Sequence, residues 1–232
     1  MIAAFRVRRT PPLARRRSLC YLGRSLFAMT LSSHPGLLLV ISGPSGVGKT
    51  TLVRAVRARL GADFSVSATT RKPTAQDTAG VDYDFVDQAA FQRMIDDHAF
   101  IEYAQVFGRS WYGTPREPVE RSLRMGRTMI LDIDVQGALQ VRRVFPQALM
   151  IFVEPPTEEE LLRRLHSRGR DDEEAILRRF AEAKREMTVA RASQAYDAFV
   201  INDALSAAEE EICRIVSARL GRAPASAGTT ER

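Results

Sequence analysis

Residues 41–51 read ISGPSGVGKTT, and this stretch predicts the fold of the chain around it. Four apolar residues, 37–40, lead into it, and a segment with helical periodicity, 51–60, follows it. Gly43, Gly48, Lys49 and Thr50 fit the pattern G-x-x-x-x-G-K-[ST], which requires a strand before it and a helix after it. The lysine is notable because the chain has three lysines against 31 arginines.

Each residue type in this pattern has a physical role in holding phosphate. Glycines let successive backbone N–H groups approach phosphate oxygens, and the helix that follows adds its positive N-terminus. Lys49 supplies a mobile charge for the outer phosphates, and the Thr50 hydroxyl can bind Mg²⁺. A chance match in a chain of this length arises on the order of once in a hundred. The pattern therefore predicts a phosphate-binding loop at residues 43–48, which we call the phosphate loop.

Asp132 is a second candidate functional residue. It ends the apolar stretch TMILD, residues 128–132, so its carboxylate can lie near the phosphate loop and orient Mg²⁺ or its waters. A strand that ends in aspartate is common and usually only caps a turn. The functional interpretation of Asp132 therefore depends on the loop beside it.

Short apolar runs alternate with helical patterns along most of the chain. Strands are predicted at residues 37–42, 64–68, 100–106, 128–133, 149–153 and 199–201. Helical patterns include residues 115–125 and a start at Thr157, which forms a capping-box pattern with Glu160. The alternation predicts an α/β fold with a parallel sheet flanked by helices on both faces.

Two stretches interrupt this alternation. Residues 69–80 are polar and turn-rich, and the short strand pattern YDFV follows them, which indicates a small β-rich insertion. Residues 163–191 are dense in arginine and acid with little apolar surface, which is typical of a mobile cover rather than a core.

Composition indicates a soluble globular protein of one domain with insertions, at 232 residues and 45% hydrophobic. Seven arginines precede Met29 without any acidic residue, and the remaining 27 basic residues nearly balance the 28 acidic ones. The net charge of +6 therefore gives no argument for nucleic-acid binding, and no apolar run is long enough to span a bilayer. We expect the basic leader, residues 1–35, to be disordered or to precede the true start, with organelle targeting as the alternative. Cys20 and Cys213 form no disulfide framework or CxxC site, which fits a reducing cytoplasm.

Eight segments occur in the order and spacing of guanylate kinases: SGPSGVGKTTL, SVSATTRKP, GVDYDFV, FIEYAQVFG, WYGTP, LDIDVQGA, LLRRLHSRGR and VIND. The chain resembles that family over residues 36–220. The resemblance implies transfer of the ATP γ-phosphoryl group to GMP, and also to dGMP, in purine nucleotide metabolism. It implies a P-loop NTPase fold with its core at 36–66, 116–162 and 192–220, a GMP-binding insertion at about 67–115 and a helical, arginine-rich lid at about 163–191. Residues 221–232 are expected to form a flexible tail.

The resemblance also implies roles for the donor side of the site. ATP is assigned to Gly43, Pro44, Ser45, Gly46, Val47, Gly48, Lys49, Thr50 and Thr51, with Asn202 beside the adenine. Catalysis is assigned to Lys49, Arg164, Arg168, Arg179 and Asp132. Arginines that close over a transferring phosphoryl group stabilise its charge and exclude water. Mg²⁺ is the implied cofactor, bound directly by Thr50 and through water by Asp132. The acceptor is already an ionised phosphate, so no general base is required.

On the acceptor side, guanine presents N1–H and N2–H₂ donors side by side and an O6 acceptor. Glu102 matches the family carboxylate for the donor edge, with Asp134 in support, and Ser67 and Thr114 match the hydroxyls that meet O6. The remaining residues implied to bind GMP are Arg71, Tyr83, Tyr112 and Asp132.

The chain departs from the family pattern T-R-x-P-R, because Thr74 stands where a second arginine is usual. Lys72 or Arg109 is our candidate for replacing that charge at the acceptor phosphate. The departure keeps two other functions open: a related ribose-bisphosphate phosphokinase, and a non-catalytic module that binds other proteins. Glu102 and Asp134 argue against the first, since a sugar phosphate has no guanine edge, and the complete loop with Lys49 argues against the second.

Overall fold

The structure, a computed structural model, describes residues 36–75, 77–106, 109–167 and 172–221. The predicted leader and residues 222–232 of the predicted tail lie outside these ranges. The strands are β1 (Leu37–Ser42), β2 (Asp63–Phe64), β3 (Ser67–Thr69), β4 (Tyr83–Phe85), β5 (Phe100–Val106), β6 (Ser110–Pro115), β7 (Thr128–Asp132), β8 (Leu149–Glu154) and β9 (Ala198–Ile201). The helices are α1 (Lys49–Leu60), α2 (Gln88–Asp96), α3 (Arg116–Arg124), α4 (Val135–Val144), α5 (Glu158–Ser167), α6 (Glu173–Ser193) and α7 (Leu205–Arg219).

Five strands form a parallel sheet in the order β2-β7-β1-β8-β9. All six residues of β1 are buried, as expected for a central strand covered on both faces. Leu39 and Ile41 pack into a core cluster with side chains of α1 and α7, whereas Leu38 and Val40 pack into a second cluster with side chains of α4. This alternation confirms the predicted parallel sheet with helices on both faces.

The turn from β1 into α1 carries the phosphate loop. Gly48 precedes the helix with φ 89°, a left-handed conformation that side chains disfavour. The helix ends at Gly61, whose N–H bonds to the Arg57 carbonyl oxygen. The loop therefore lies at the carboxyl edge of the sheet, where parallel strands usually place their ligands.

Residues 67–115 contribute a second, four-stranded sheet in the order β4-β3-β6-β5. It confirms the predicted β-rich insertion, but its start differs from the expected strand at 64–68. Phe64 ends β2 in the core sheet, and Ser67 begins β3 in the inserted sheet, so two strands replace one. The strand β6 was not predicted. Its Gly113 is required because a Cβ there would lie 2.8 Å from the Phe100 ring.

The inserted sheet contacts the core along its two edges. At the β5 edge, Ile101 joins the second core cluster, and the Tyr103 backbone exchanges hydrogen bonds of 3.3 and 2.9 Å with the Gln140 side chain of α4. Beyond the opposite edge, Arg54 of α1 forms an exposed ion pair with Asp82, 3.1 Å from nitrogen to oxygen. Exposed pairs of this kind contribute little stability, so β5 is the firmer attachment.

The region predicted as a lid, residues 163–191, has more buried apolar surface than its sequence indicated. Leu165, Ile176 and Ala183 of this region form a small buried cluster with Leu161, between α5 and α6. A Cβ at Gly46 would lie 2.8 Å from a Leu165 methyl group, so α5 packs directly on the phosphate loop. The N-cap half of the predicted capping box is confirmed, since the Thr157 hydroxyl oxygen accepts a bond from the Glu160 N–H at 3.1 Å. The Glu160 carboxylate accepts bonds from Arg163 and Arg164 instead.

Arg142 of α4 ties together the chain segments beside β8 and β9. Its guanidinium donates to the Pro146, Ala148 and Ala195 carbonyl oxygens and to the Asp197 carboxylate, at distances from 2.7 to 3.0 Å. Asp197 in turn accepts from the Met150 N–H at 2.7 Å. Of the helices in the described ranges, none combines the length and apolar character needed to cross a membrane.

Candidate active site

Two adjoining cavities lie between the carboxyl edge of the parallel sheet and the inserted sheet. The first measures about 380 Å³ and is lined by Gly43, Pro44, Ser45, Gly46, Gly48, Lys49, Thr50, Thr51, Ser67, Tyr83, Glu102, Ala104, Val106, Tyr112, Asp132, Ile133, Asp134 and Glu186. The second measures about 690 Å³ and includes Arg71, Thr74, Asp77 and Arg179. Ser67, Tyr83, Tyr112, Thr50 and Asp132 border both. Most of the predicted site residues are therefore brought together.

Lys49 connects the phosphate loop to the end of β7. Its Nζ lies 2.7 Å from Asp132 Oδ1 and donates to the Ile133 carbonyl oxygen at 3.0 Å. Because α1 begins at Lys49, the free N–H groups of its first turn form the positive N-terminus of the helix, which favours anions. A mobile ammonium and a helix N-terminus thus meet at one end of the first cavity, as phosphate binding requires.

The residues present fit a magnesium ion held mainly by nucleotide. Thr50 and Asp132 offer hard oxygen donors where the two cavities adjoin. Within the described residues, no group of three or more His, Cys, Asp or Glu side chains is arranged to hold a metal. Mg²⁺ commonly takes one or two protein ligands together with substrate phosphates and water, so this sparse set suits it.

Glu102 is a buried carboxylate at the other end of the first cavity. It is 5% exposed, and the Thr114 hydroxyl donates to its Oε1 at 2.5 Å. Burial raises its pKa to about 7, the Thr114 hydrogen bond opposes that rise, and the negative charge of Asp134 adds to it. A Cβ at Gly137 would lie 2.5 Å from Glu102 Oε2, so glycine is needed behind this carboxylate.

Asp134 and Thr114, which were both predicted to bind guanine, also form hydrogen bonds within the protein. The Asp134 carboxylate caps α4 by accepting from the Gly137 N–H at 2.8 Å, and it lines the first cavity. Thr114 is fully buried behind Glu102 and is not among the lining residues. Ser67 borders both cavities.

Arg71, Tyr83 and Tyr112 meet beside the second cavity. The Arg71 guanidinium lies 5.1 Å from the centre of the Tyr83 ring, and the Tyr83 and Tyr112 rings pack edge to face at 5.6 Å. Burial raises the pKa of Tyr83 to about 12, so its hydroxyl stays a neutral donor. Lys72 and Arg109 are exposed and line neither cavity.

The predicted lid arginines differ in their positions. Arg179 lines the second cavity. Arg164 lies outside both cavities, where it donates to the Asn202 and Val47 carbonyl oxygens at 2.9 and 3.3 Å. The Asn202 side chain also donates to the Val47 carbonyl oxygen, at 2.8 Å, and both residues thus brace the phosphate loop from behind. Arg168 lies outside the described residues.

Glu186 of α6 is a site residue that the sequence analysis missed. Its carboxylate lines the first cavity together with Ser45 and Lys49, and burial raises its pKa to about 7 against the opposing charge of Lys49. A signal was available, because Glu186 follows the buried Ala183 by three residues and precedes the buried Ala190 by four. A charged residue on the buried face of a helix is a candidate for function.

Comparisons of the sequence and the structure with known proteins all relate this chain to one family. The family model described as guanylate kinase matches residues 36–219. A guanylate kinase from Thermosynechococcus vestitus is 46% identical over 192 residues, covering 82% of this chain and 97% of that protein. One from Gloeobacter violaceus is 45% identical over 196 residues, covering 84% and 94%. The crystal structure of guanylate kinase from Anaplasma phagocytophilum aligns with a TM-score of 0.64 at 32% identity, covering 79% of this chain and 86% of that one.

Proposed function

The chain belongs to the guanylate kinase family and phosphorylates GMP to GDP with ATP, and we propose that the two adjoining cavities hold the substrates of this reaction. Its fold is that of the P-loop NTPases, with a parallel sheet flanked by helices. The two alternatives, a ribose-bisphosphate phosphokinase and a non-catalytic module, are not favoured.

Glu102 is the observation that carries the assignment of the acceptor. A buried carboxylate in a cavity needs donors, and guanine offers two adjacent N–H groups of matching spacing. Ser67 borders the same cavity and can donate to O6. With the base at Glu102, the GMP phosphate extends toward Arg71, Tyr83 and Tyr112, and dGMP should bind in the same way.

On the donor side, the phosphate loop and the N-terminus of α1 hold the ATP phosphates, and Lys49 neutralises charge at the transferring group. Thr50 and Asp132 would hold Mg²⁺ here, and the ion would supply further charge neutralisation. Arg179, beside the second cavity, can approach the transferring group from α6. Positioning and charge neutralisation then provide the acceleration, since the attacking oxygen is already ionised.

An assay of phosphoryl transfer to GMP, dGMP, AMP and ribose bisphosphate under one set of conditions tests this proposal. We expect GMP to be the best acceptor and Lys49→Ala to lower kcat by at least about 10³-fold. Removal of Mg²⁺ with a chelator should abolish transfer, and its return should restore it. Faster transfer to AMP than to GMP would contradict the base assignment.

The cellular setting is also a proposal. Production of GDP belongs to purine nucleotide metabolism, and we place it in the cytoplasm. Cys213 is a free, buried thiol, which suits a reducing compartment. ATP and GMP are the proposed partners, and neither the charge distribution nor the helices gives reason to add nucleic acid or membrane.

A further inference from the structure

Thr74 stands where the family pattern has a second arginine, and the structure shows what it does instead. Its backbone N–H and its hydroxyl both donate to Asp77 Oδ2, at 2.6 and 2.7 Å. The Asp77 N–H returns a bond of 3.1 Å to the Thr74 carbonyl oxygen. The two residues therefore close a short loop that fixes the Asp77 carboxylate, using a hydroxyl that an arginine lacks.

The fixed carboxylate holds Arg71. Arg71 Nη1 donates to Asp77 Oδ2 at 3.0 Å, and Nη2 donates to Oδ1 at 2.9 Å. Bidentate pairs of this kind have a defined geometry as well as strength. The Asp77 side chain is 14% exposed, and the Arg71 hydrogen bond holds its pKa well below the usual range.

The guanidinium is constrained from its other sides too. Nη1 also donates to the Lys72 carbonyl oxygen at 3.1 Å, and the group lies over the Tyr83 and Phe85 rings at 5.1 and 5.5 Å. An arginine normally loses considerable side-chain freedom when it binds a phosphate. Here much of that freedom is already lost before a ligand arrives, so binding is expected to cost less entropy.

We propose that Thr74 and Asp77 are positioning residues that fix the Arg71 guanidinium beside the second cavity, so that one rigid arginine binds the acceptor phosphate where the family pattern has two. This inference rests on the proposed function, in which Arg71 contacts the GMP phosphate. It is an alternative to compensation by Lys72 or Arg109, which are exposed and line neither cavity.

The direction in which Asp77→Asn changes KM for GMP distinguishes positioning of Arg71 from a purely electrostatic effect of the Asp77 charge. The change removes a negative charge near a site for a phosphate dianion, so electrostatics alone predicts a lower KM for GMP. Positioning predicts the opposite, because the amide can accept only one of the two Arg71 bonds. We expect KM for GMP to rise about tenfold, as when one charge-assisted contact is loosened, with kcat and KM for ATP changed less than about twofold.

Steady-state kinetics and thermal melting of a small set of variants complete the test. Thr74→Val should raise KM for GMP about threefold, and Thr74→Ser should restore it because the hydroxyl returns. Glu211→Gln is the matched control, since it breaks a bidentate pair with Arg214 on α7 and should leave both KM values unchanged. A KM for GMP that falls or stays constant in Asp77→Asn, or in Thr74→Val if the former does not fold, overturns the proposal.

Arg71→Ala separates this inference from the function beneath it. If that variant leaves KM for GMP unchanged, the proposed role of Arg71 in binding the phosphate is wrong. If Arg71→Ala raises KM for GMP while Asp77→Asn and Thr74→Val do not, Arg71 binds the phosphate without help, and the positioning role alone is wrong.

Discussion

Raising the pH from 6 to 8 should strengthen GMP binding about tenfold through Glu102 alone. The carboxyl has a pKa of about 7 because it is buried, and only its ionised form accepts both guanine donors. About one-eleventh of the sites are ionised at pH 6 and about ten-elevenths at pH 8, and the apparent dissociation constant scales inversely with that fraction.

Isothermal titration calorimetry of GMP at pH 6, 7 and 8, at constant ionic strength, measures this dependence. The GMP phosphate titrates in the same range, with a pKa near 6, so the parent must be compared with Glu102→Gln. The phosphate contributes equally to both proteins, and the ratio of their dissociation constants isolates Glu102. At pH 8 we expect Glu102→Gln to bind GMP about 10- to 150-fold more weakly, because it loses a hydrogen bond to a charged acceptor.

The raised pKa of Glu102 also predicts that the free energy of unfolding of the unliganded protein falls as the pH rises. The folded pKa is raised above the unfolded value of 4.5, so the stability contribution is full below about pH 4.5 and is lost as pH rises toward 7. The rise corresponds to about 3–4 kcal/mol at most, and Glu102→Gln should therefore be the more stable protein at pH 8. Equal pH dependence of GMP binding in parent and variant would refute the reasoning.

Three further variants test other contacts. Glu186→Gln should tighten ATP binding about threefold at pH 8, because it removes a negative charge that lines the first cavity with Lys49 and repels phosphate. Calorimetry should show no such change in Glu174→Gln, an exposed control on the same helix. Gly137→Ala should raise KM for GMP at least about tenfold without changing KM for ATP, since its Cβ would displace the Glu102 carboxylate oxygen 2.5 Å away. An unchanged KM for GMP would show that the backbone moves instead. Arg142→Ala should lower the free energy of unfolding by about 2–4 kcal/mol, because three carbonyl oxygens lose their donor. KM for GMP and KM for ATP should not change. Urea denaturation measures the loss, and a loss under about 1 kcal/mol would contradict this reasoning.

The parts of the fold that follow from local pattern were predictable. The strands at 37–42 and 100–106 both have the expected ends. An unbroken apolar run, 37–41, defines the first, and apolar and aromatic residues on either side of Glu102 and Gln105 define the second. The split of the expected strand at 64–68 was not predictable, since it depends on which sheet each residue pairs with. The strand β6 was missed because glycine and proline weaken its pattern, although the Phe100 ring requires that glycine.

Some residues of the candidate site were also predictable from sequence, and others were not. Lys49 and Asp132 could be named from short motifs, and Glu102 from the family resemblance, with which the chemistry of guanine agrees. Their catalytic and binding roles stay predictions, whereas their proximity is now described. Helical spacing marks Glu186 as a residue of a buried face, but its position beside Ser45 could not be predicted, because the packing of α6 brings together segments far apart in sequence.

The inserted sheet is fastened more firmly on one side than on the other. Ile101 and Tyr103 anchor the β5 side, so any rotation of the sheet would have its axis near that strand. Glu102, on the axis, would then move little, whereas Tyr83, three strands away on β4, would travel furthest. The carboxylate proposed for the purine therefore lies on the side of the sheet with the firmer attachment, and the tyrosine proposed for the phosphate lies on the looser side.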